Sequence, residues 1–232
     1  MSKKWIKYWS KKNIWGSSHI WKKNSFILYS SIKKYISIKD KNVLDLGCGT
    51  GELIEYISKE ASTVCGVDVS DIYIKICKKK FQKNKKIMIK KFKNNYFNLY
   101  KMNQKFSIIF CNSVVQYFSD EGEIIKLVKA VKKISEKNAK FIISDIMVKN
   151  QKKNLVKLIF YSFVRGYFIT LINQYFTLLL NSKYRKLEVK YNLLEIDINK
   201  LIKEIKPLTK KVRVIDYPLT INTNRKHLLI EF

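Results

Sequence analysis

Proline and glycine are scarce: 2 and 7 residues in a chain of 232. Together with 47% hydrophobic residues, that excludes collagen-like, low-complexity and disordered chains. The 4 cysteines, Cys48, Cys65, Cys77 and Cys111, include no Cys-x-x-Cys pair, which argues against a zinc site or a dithiol redox site. No metal site is expected. Residues 1–30 hold no continuous apolar run and mix lysine with tryptophan, so no signal peptide is expected. Reduced cysteines and a cytoplasmic location follow as expectations. Acidic residues are few as well: 18 against 47 Lys and Arg, for a net charge of +29. Arginine supplies only Arg165, Arg185, Arg213 and Arg225 of that total. Arginine is the usual residue for bidentate recognition of phosphates and base edges. The charge therefore reads as a lysine-rich solvated surface, densest over residues 75–93 with ten lysines, rather than as a nucleic-acid footprint.

What is present is an alternation of strand and helix patterns. Residues 1–39 read as helices punctuated by Trp5, Tyr8, Trp9, Trp15 and Trp21. These aromatics fit either core packing or a lid. Short apolar strands are expected at 42–46, 63–68, 86–91, 106–111 and 139–145, with two more at 211–215 and 227–232. Ser70 reads as an N-cap, and Asp120 with Glu123 as a capping box. Near-continuous apolar strands separated by helices predict an α/β, doubly wound, mostly parallel sheet. The expected organisation is a single domain over 1–232. It comprises an N-terminal helical lid (1–39), a binding core (40–150), a helical cap (151–205) inserted between strands 5 and 6, and the last two strands (206–232). No internal repeat is visible.

Residues 158–182 carry one formal charge, Arg165, and are long enough to span a bilayer. A span would strand the last two strands on the far side of the membrane from the first five, where they could not complete one sheet. A helical lid, a partner interface, or peripheral membrane contact through 153–182 fits better.

The chemistry is concentrated in Asp45-Leu46-Gly47-Cys48-Gly49-Thr50-Gly51, which directly follows the first strand. Three of the seven glycines fall within five residues, where the chain must turn sharply and let a ligand approach its backbone. Asp68 ends the second strand, where a carboxylate can accept hydrogen bonds from ribose hydroxyls. A Gly-x-Gly-x-x-Gly dinucleotide fingerprint is opposed by the spacing of the third glycine and by Asp45, which would repel a pyrophosphate but attract an ammonium group. A ligand carrying both an amino acid and a ribose satisfies both acids, as S-adenosylmethionine does.

With these motifs, residues 41 to about 145 resemble a class I S-adenosylmethionine-dependent methyltransferase. The resemblance implies a seven-stranded sheet of order 3-2-1-4-5-7-6 with strand 7 antiparallel. It implies that Asp45 and the segment Gly47, Cys48, Gly49 and Gly51 hold the methionine part, that Asp68 holds the ribose, and that Val69 packs on adenine. Asn94 stands where the family makes a polar adenine contact. Asn112, Gln116 and Tyr117, in the segment after strand 4, resemble the family's loop lining the methyl-transfer site. Cys48 and Cys111 read as small packing residues rather than nucleophiles.

Absent motifs narrow the acceptor. There is no Asn/Asp-Pro-Pro-Tyr/Phe after strand 4, no Pro-Cys nucleophile, no double-Glu loop, and no acidic set for a catechol-type metal. The Trp5…Trp21 region, Asp68-Val69-Ser70, residues 114–118 and Asn224-Arg225-Lys226-His227 are similar to small-molecule methyltransferases of bacterial surface-polysaccharide gene clusters. That likeness implies a sugar, a sugar nucleotide or a related polar acceptor. Asp145, His19 and His227 are the candidate bases, and Arg185 and Arg225 the clamps for an acceptor bearing phosphate. Two alternatives stand beside this reading: an RNA methyltransferase, and a noncatalytic cofactor-binding protein of the same fold. The oligomeric state is not legible.

Overall fold

A computed structural model of the chain describes residues 3–11, 19–92, 96–151 and 154–232. Asn94 and Trp15 lie outside the described residues. The strands are β1 (Asn42–Leu46), β2 (Thr63–Asp68), β3 (Ile87–Lys91), β4 (Phe106–Asn112), β5 (Ser135–Ile146), β6 (Lys211–Ile215) and β7 (Lys226–Glu231). They form one sheet of order β3-β2-β1-β4-β5-β7-β6. The pairs from β3 through β5 are parallel, and β7 runs antiparallel to both β5 and β6. This is the expected order and the expected antiparallel strand.

Period-two alternation sorts each central strand between two cores. Leu44 and Leu46 face a layer that includes α5 (Glu121–Lys133) and α9 (Ile198–Ile205). Val43 faces α2 (His19–Ile32) and α3 (Glu52–Ile57). On α5, Ile124, Leu127, Val128 and Val131 are fully buried, each contributing roughly 1.5–3 kcal/mol of apolar transfer. The helix starts where the sequence places it. Asp120 accepts from the Glu123 N–H at 3.0 Å, and the Glu123 carboxylate accepts from the Ser119 N–H at 2.8 Å. Ser70 caps α4 (Asp71–Phe81) by accepting from the Tyr73 N–H at 3.3 Å.

The apolar region after β5 differs from one long helical stretch. It is three short helices: α6 (Leu155–Val164), α7 (Phe168–Leu180) and α8 (Ser182–Tyr191). Gly166, at φ 62°, ends the first, and Asn181 separates the other two. Among the described residues, no helix is long and apolar enough to cross a membrane. A third cluster joins α1 (Lys3–Trp9) to this cap through Trp5, Tyr117, Tyr167, Tyr184 and Ile221. It sits over the carboxyl ends of the strands, where open α/β sheets bind ligands.

Candidate active site

The turn after β1 spends its N–H groups inward. Those of Gly47 and Cys48 both go to the Val67 carbonyl, and that of Gly51 goes to the Cys48 carbonyl. The Gly49 N–H goes to one Asp68 oxygen at 2.9 Å, and the Ser70 N–H goes to the other at 2.8 Å. A phosphate cradle needs such donors free. With those N–H groups bonded, the carboxylates of Asp45, Glu52 and Asp68 set the character of this wall, which suits a cation. Gly49, at φ 54°, lies against Trp21, whose ring would sit 3.3 Å from any added Cβ. Gly51 has a different task from the one expected. It does not line the pocket; a Cβ there would come 2.5 Å from the Phe81 ring, so it permits the turn to pack on α4.

The cavity has a volume of about 310 Å³, at the lower end for small-molecule sites. In a protein of net charge +29, five carboxylates line it: Asp45, Glu52, Asp68, Asp145 and Glu188. Arg225 is the one basic residue among its described lining residues. Asp45 is 2% exposed, and burial, followed by the nearby Asp68 and Glu52 charges, pushes its pKa up to about 8. Asp68 is also raised by burial, against the pull of its backbone hydrogen bonds. Two acids held above their ordinary values are primed for a cationic partner.

The other end of the pocket lies two strands beyond β1, so Asp145 is roughly 14 Å across the sheet from Asp68 at about 4.8 Å per strand. Here a left-handed residue follows β4, Ser113 at φ 56°, and another stands next to last in β5, Asp145 at φ 66°. The Ser113 hydroxyl donates to the Asp145 carboxylate at 2.7 Å, and Arg225 Nε lies 3.5 Å from the same group. The β5–β7 register breaks between Ile143 and Ile146, and this bulge re-aims Asp145 into the cavity. Asn112 lines the cavity and holds its carbonyl oxygen to the Ser144 hydroxyl at 2.7 Å.

His227 braces that bulge rather than facing the pocket, which corrects its reading as a base. It is fully buried, and the Asp145 N–H meets its Nδ1 at 3.2 Å while the Leu219 N–H meets its Nε2 at 3.1 Å. Burial, with Lys226 and Arg225 nearby, lowers its pKa to about 3. The neutral ring carries one N–H, so one of its nitrogens accepts from a backbone N–H at a time, and a second proton would remove that acceptor. His19 is exposed at the start of α2, outside the pocket lining, and is no candidate base either. Arg185 is likewise corrected. On α8 the pocket-lining residues are Tyr184 and Glu188, one turn apart, and Arg185 is turned about 100° away into solvent.

Gln116 and Tyr117 do line the cavity, as do Cys48 and Val69. Among the described residues, the side-chain carbonyl oxygen of Gln116, a residue 4% exposed, has no hydrogen-bond partner, and neither has Trp9 Nε1. Burial and the Tyr184 hydroxyl 3.4 Å away raise the Tyr117 pKa, so it stands as a neutral phenol. The Cys48 thiol is raised by its contact with Cys77 and by burial, which disfavours the reactive thiolate. Trp9 and Trp21 roof the cavity, joined edge-on or tilted to Tyr73 and Tyr117. Of the stripe, Trp5 is buried in the third cluster, while Trp9 and Trp21 line the cavity. Tyr184, Glu188, Gln174 and Leu178 were not singled out from the sequence; the helical spacing of Tyr184 and Glu188 was the available signal.

A family model described as a methyltransferase domain matches residues 37–184. The chain belongs to that family. Among curated relatives, a ubiquinone biosynthesis O-methyltransferase of Coxiella burnetii is 34% identical over 95 residues, covering 41% of this chain and 40% of the relative. The chain thus matches about two fifths of that relative's length. Among solved structures, the pyocyanin biosynthetic protein PhzM shares the fold, with a TM-score of 0.60 at 10% identity over 89% of this chain and 55% of its own. The N-methyltransferase NodS of Bradyrhizobium japonicum, solved with S-adenosyl-L-homocysteine, gives 0.53 at 10% identity over 89% of this chain and 84% of its own. The family's cofactor is S-adenosylmethionine. The residues present fit it: an acid-lined cavity, a glycine turn whose Gly47, Cys48, Gly49 and Gly51 N–H groups are already bonded, and Asp68 on the cavity wall.

Proposed function

We propose that this domain transfers a methyl group from S-adenosylmethionine to a hydroxyl oxygen of a small, ring-bearing polar acceptor. The observation that carries the reading is the five-carboxylate cavity in a strongly basic protein, polar and aromatic at its β5 end. When bound, the cofactor supplies a methyl group on a cationic sulfur. Asp45 and the loop carbonyls seat the ammonium group, and Asp68 takes the ribose hydroxyls with its remaining lone pairs. Tyr117, Trp9 and Trp21 exclude water and offer flat faces to an acceptor ring. Gln116 supplies an unpaired acceptor oxygen to orient it. Asp145, held by Ser113 and Arg225, takes the hydroxyl proton as the oxygen attacks. Holding the reactants in line accounts for most of the rate.

A sugar or sugar nucleotide, as expected from the sequence, is one member of this acceptor class, and the comparisons give it no separate support. Arg225 alone remains in place to meet an acceptor phosphate. The RNA alternative is less favoured. The lysine cluster lies along α4 and β3, at the opposite edge of the sheet from Asp145, and Lys80 and Lys91 are already paired with Glu55 and Asp71. The noncatalytic alternative is opposed by the assembled Asp145 cluster.

Calorimetry with S-adenosylmethionine tests the first half, with micromolar binding expected. Folded protein that binds neither S-adenosylmethionine nor S-adenosylhomocysteine would overturn the reading. Release of S-adenosylhomocysteine across hydroxylated aromatic and sugar acceptors tests the second.

A further inference from the structure

We propose that the outward faces of α6 and α7 form a docking surface for an anionic lipid bilayer. On α6 the exposed side chains include Val156 at 79%, Phe160 at 61% and Phe163 at 60%. They recur at the three- and four-residue spacing of one helix face. On α7, Ile169, Ile172, Phe176 and Leu180 form a second exposed stripe at the same spacing. Phe163 and Phe168 stack across the corner at 4.1 Å, which makes the two stripes one surface. The single charge within 158–182 is withdrawn from it. Arg165 donates to the Pro218 carbonyl at 2.8 Å and stacks on Tyr161 and Tyr217. A contiguous apolar surface of this kind marks an interface.

Charge selects the occupant. Between Asp145 and Glu188 there is no acidic residue, while the same span holds six lysines and two arginines. Lys157, Lys183 and Lys186 are exposed around the apolar faces. Exposed aromatic and aliphatic side chains in a segment whose charged residues are all cationic fit an anionic headgroup layer with acyl chains beneath it. A second copy would bring the same cations face to face. The helices, of 10 and 13 residues, span roughly 15–20 Å against about 30 Å of hydrocarbon, so they lie on the surface rather than cross it. The inner side of α7 carries Gln174 and Leu178, which line the cavity. Docking therefore sets the acceptor end of the pocket one helix diameter from lipid. The proposal does not depend on which acceptor is used.

The test is co-sedimentation of the full chain with phosphatidylcholine vesicles containing phosphatidylglycerol, and with phosphatidylcholine alone. Binding to the mixed vesicles is expected, weakened at high salt. The F160S/F176S variant should lose roughly tenfold or more in partitioning, and K183E/K186E should also weaken it. In both variants, unchanged calorimetric binding of S-adenosylhomocysteine reports an intact fold. Three results would each overturn the proposal: no association of the folded protein with mixed vesicles, F160S/F176S binding like the parent, or a concentration-dependent dimer abolished by F160S/F176S.

Discussion

At the β1–β2 end of the cavity, Gly49 and Asp68 bond across 19 residues of sequence. At the β5 end, Thr220 reaches Asp145 across 75, Asn181 donates to the Tyr8 hydroxyl across 173, and Ile221 donates to Asn24 across 197. The first end is a local strand–helix–strand unit, parallel β1 and β2 joined through α3. The second is assembled from both ends of the chain and the inserted cap. A local device tolerates drift in the rest of the sequence, whereas a long-range one can be rebuilt for a new acceptor by changing any of several distant segments. The cavity should therefore fail differently at its two ends.

The largest effect is expected at Asp68. Replacing it with alanine removes a ribose acceptor and leaves the Gly49 and Ser70 N–H groups without their partner. Calorimetry should show cofactor affinity falling by roughly a hundredfold or more, with the melting temperature lowered as well. Unchanged affinity would mean that the local end does not hold the nucleoside.

Asp45 should separate binding from stability. Its pKa rises from 3.8 unfolded to about 8 folded, so the folded apo chain holds a proton that the unfolded chain has released. Apo stability therefore falls as pH rises between about 4 and 8, and the penalty is complete above that window. Asp45→Asn should raise apo stability at pH 8 by a few kcal/mol in denaturant titrations, and remove the slope. The same variant should bind cofactor roughly ten- to a hundredfold more weakly, because a neutral amide cannot answer the ammonium charge. In the parent, affinity should climb with pH toward 8 as the carboxyl ionises.

This contrast also governs what could be read from the sequence. Asp45, Gly47 and Gly49 come from one contiguous motif, Asp68 and Val69 from the end of the next strand, and all five line the cavity. The sheet order followed from the family resemblance rather than from periodicity. Strand patterning does not record which strand neighbours which. Arg185, His19 and His227 failed as site residues because residue type carries no direction. A helix turns its side chains by about 100° per residue, and a bulge decides which of Asp145 and His227 faces inward. Gly51 was grouped with the ligand contacts because a tight turn and close helix packing demand the same residue.

At the assembled end, His227→Gln should lower turnover roughly tenfold with cofactor affinity unchanged, since it acts through the aim of Asp145. A purely structural histidine would move melting temperature without this split. In the parent, the ring is kept neutral with a pKa near 3, while the unfolded chain takes up a proton near 6.5. Stability is therefore lost progressively as pH falls from 6.5 toward 3, and the glutamine variant should flatten that loss.

The smallest effect is expected at Tyr8, whose hydroxyl accepts from Asn181 Nδ2 at 3.0 Å and ties α1 to the α7–α8 junction. Tyr8→Phe keeps the ring, with its edge contacts to Trp5 and Trp9, and removes this bond. The cost to stability should be about 1 kcal/mol. Because this bond joins α1 to the α7–α8 junction, cofactor affinity should hold while the acceptor KM rises a few-fold. Weakened cofactor binding in this variant would show that the two ends are one cooperative unit, and the contrast drawn between them would fail.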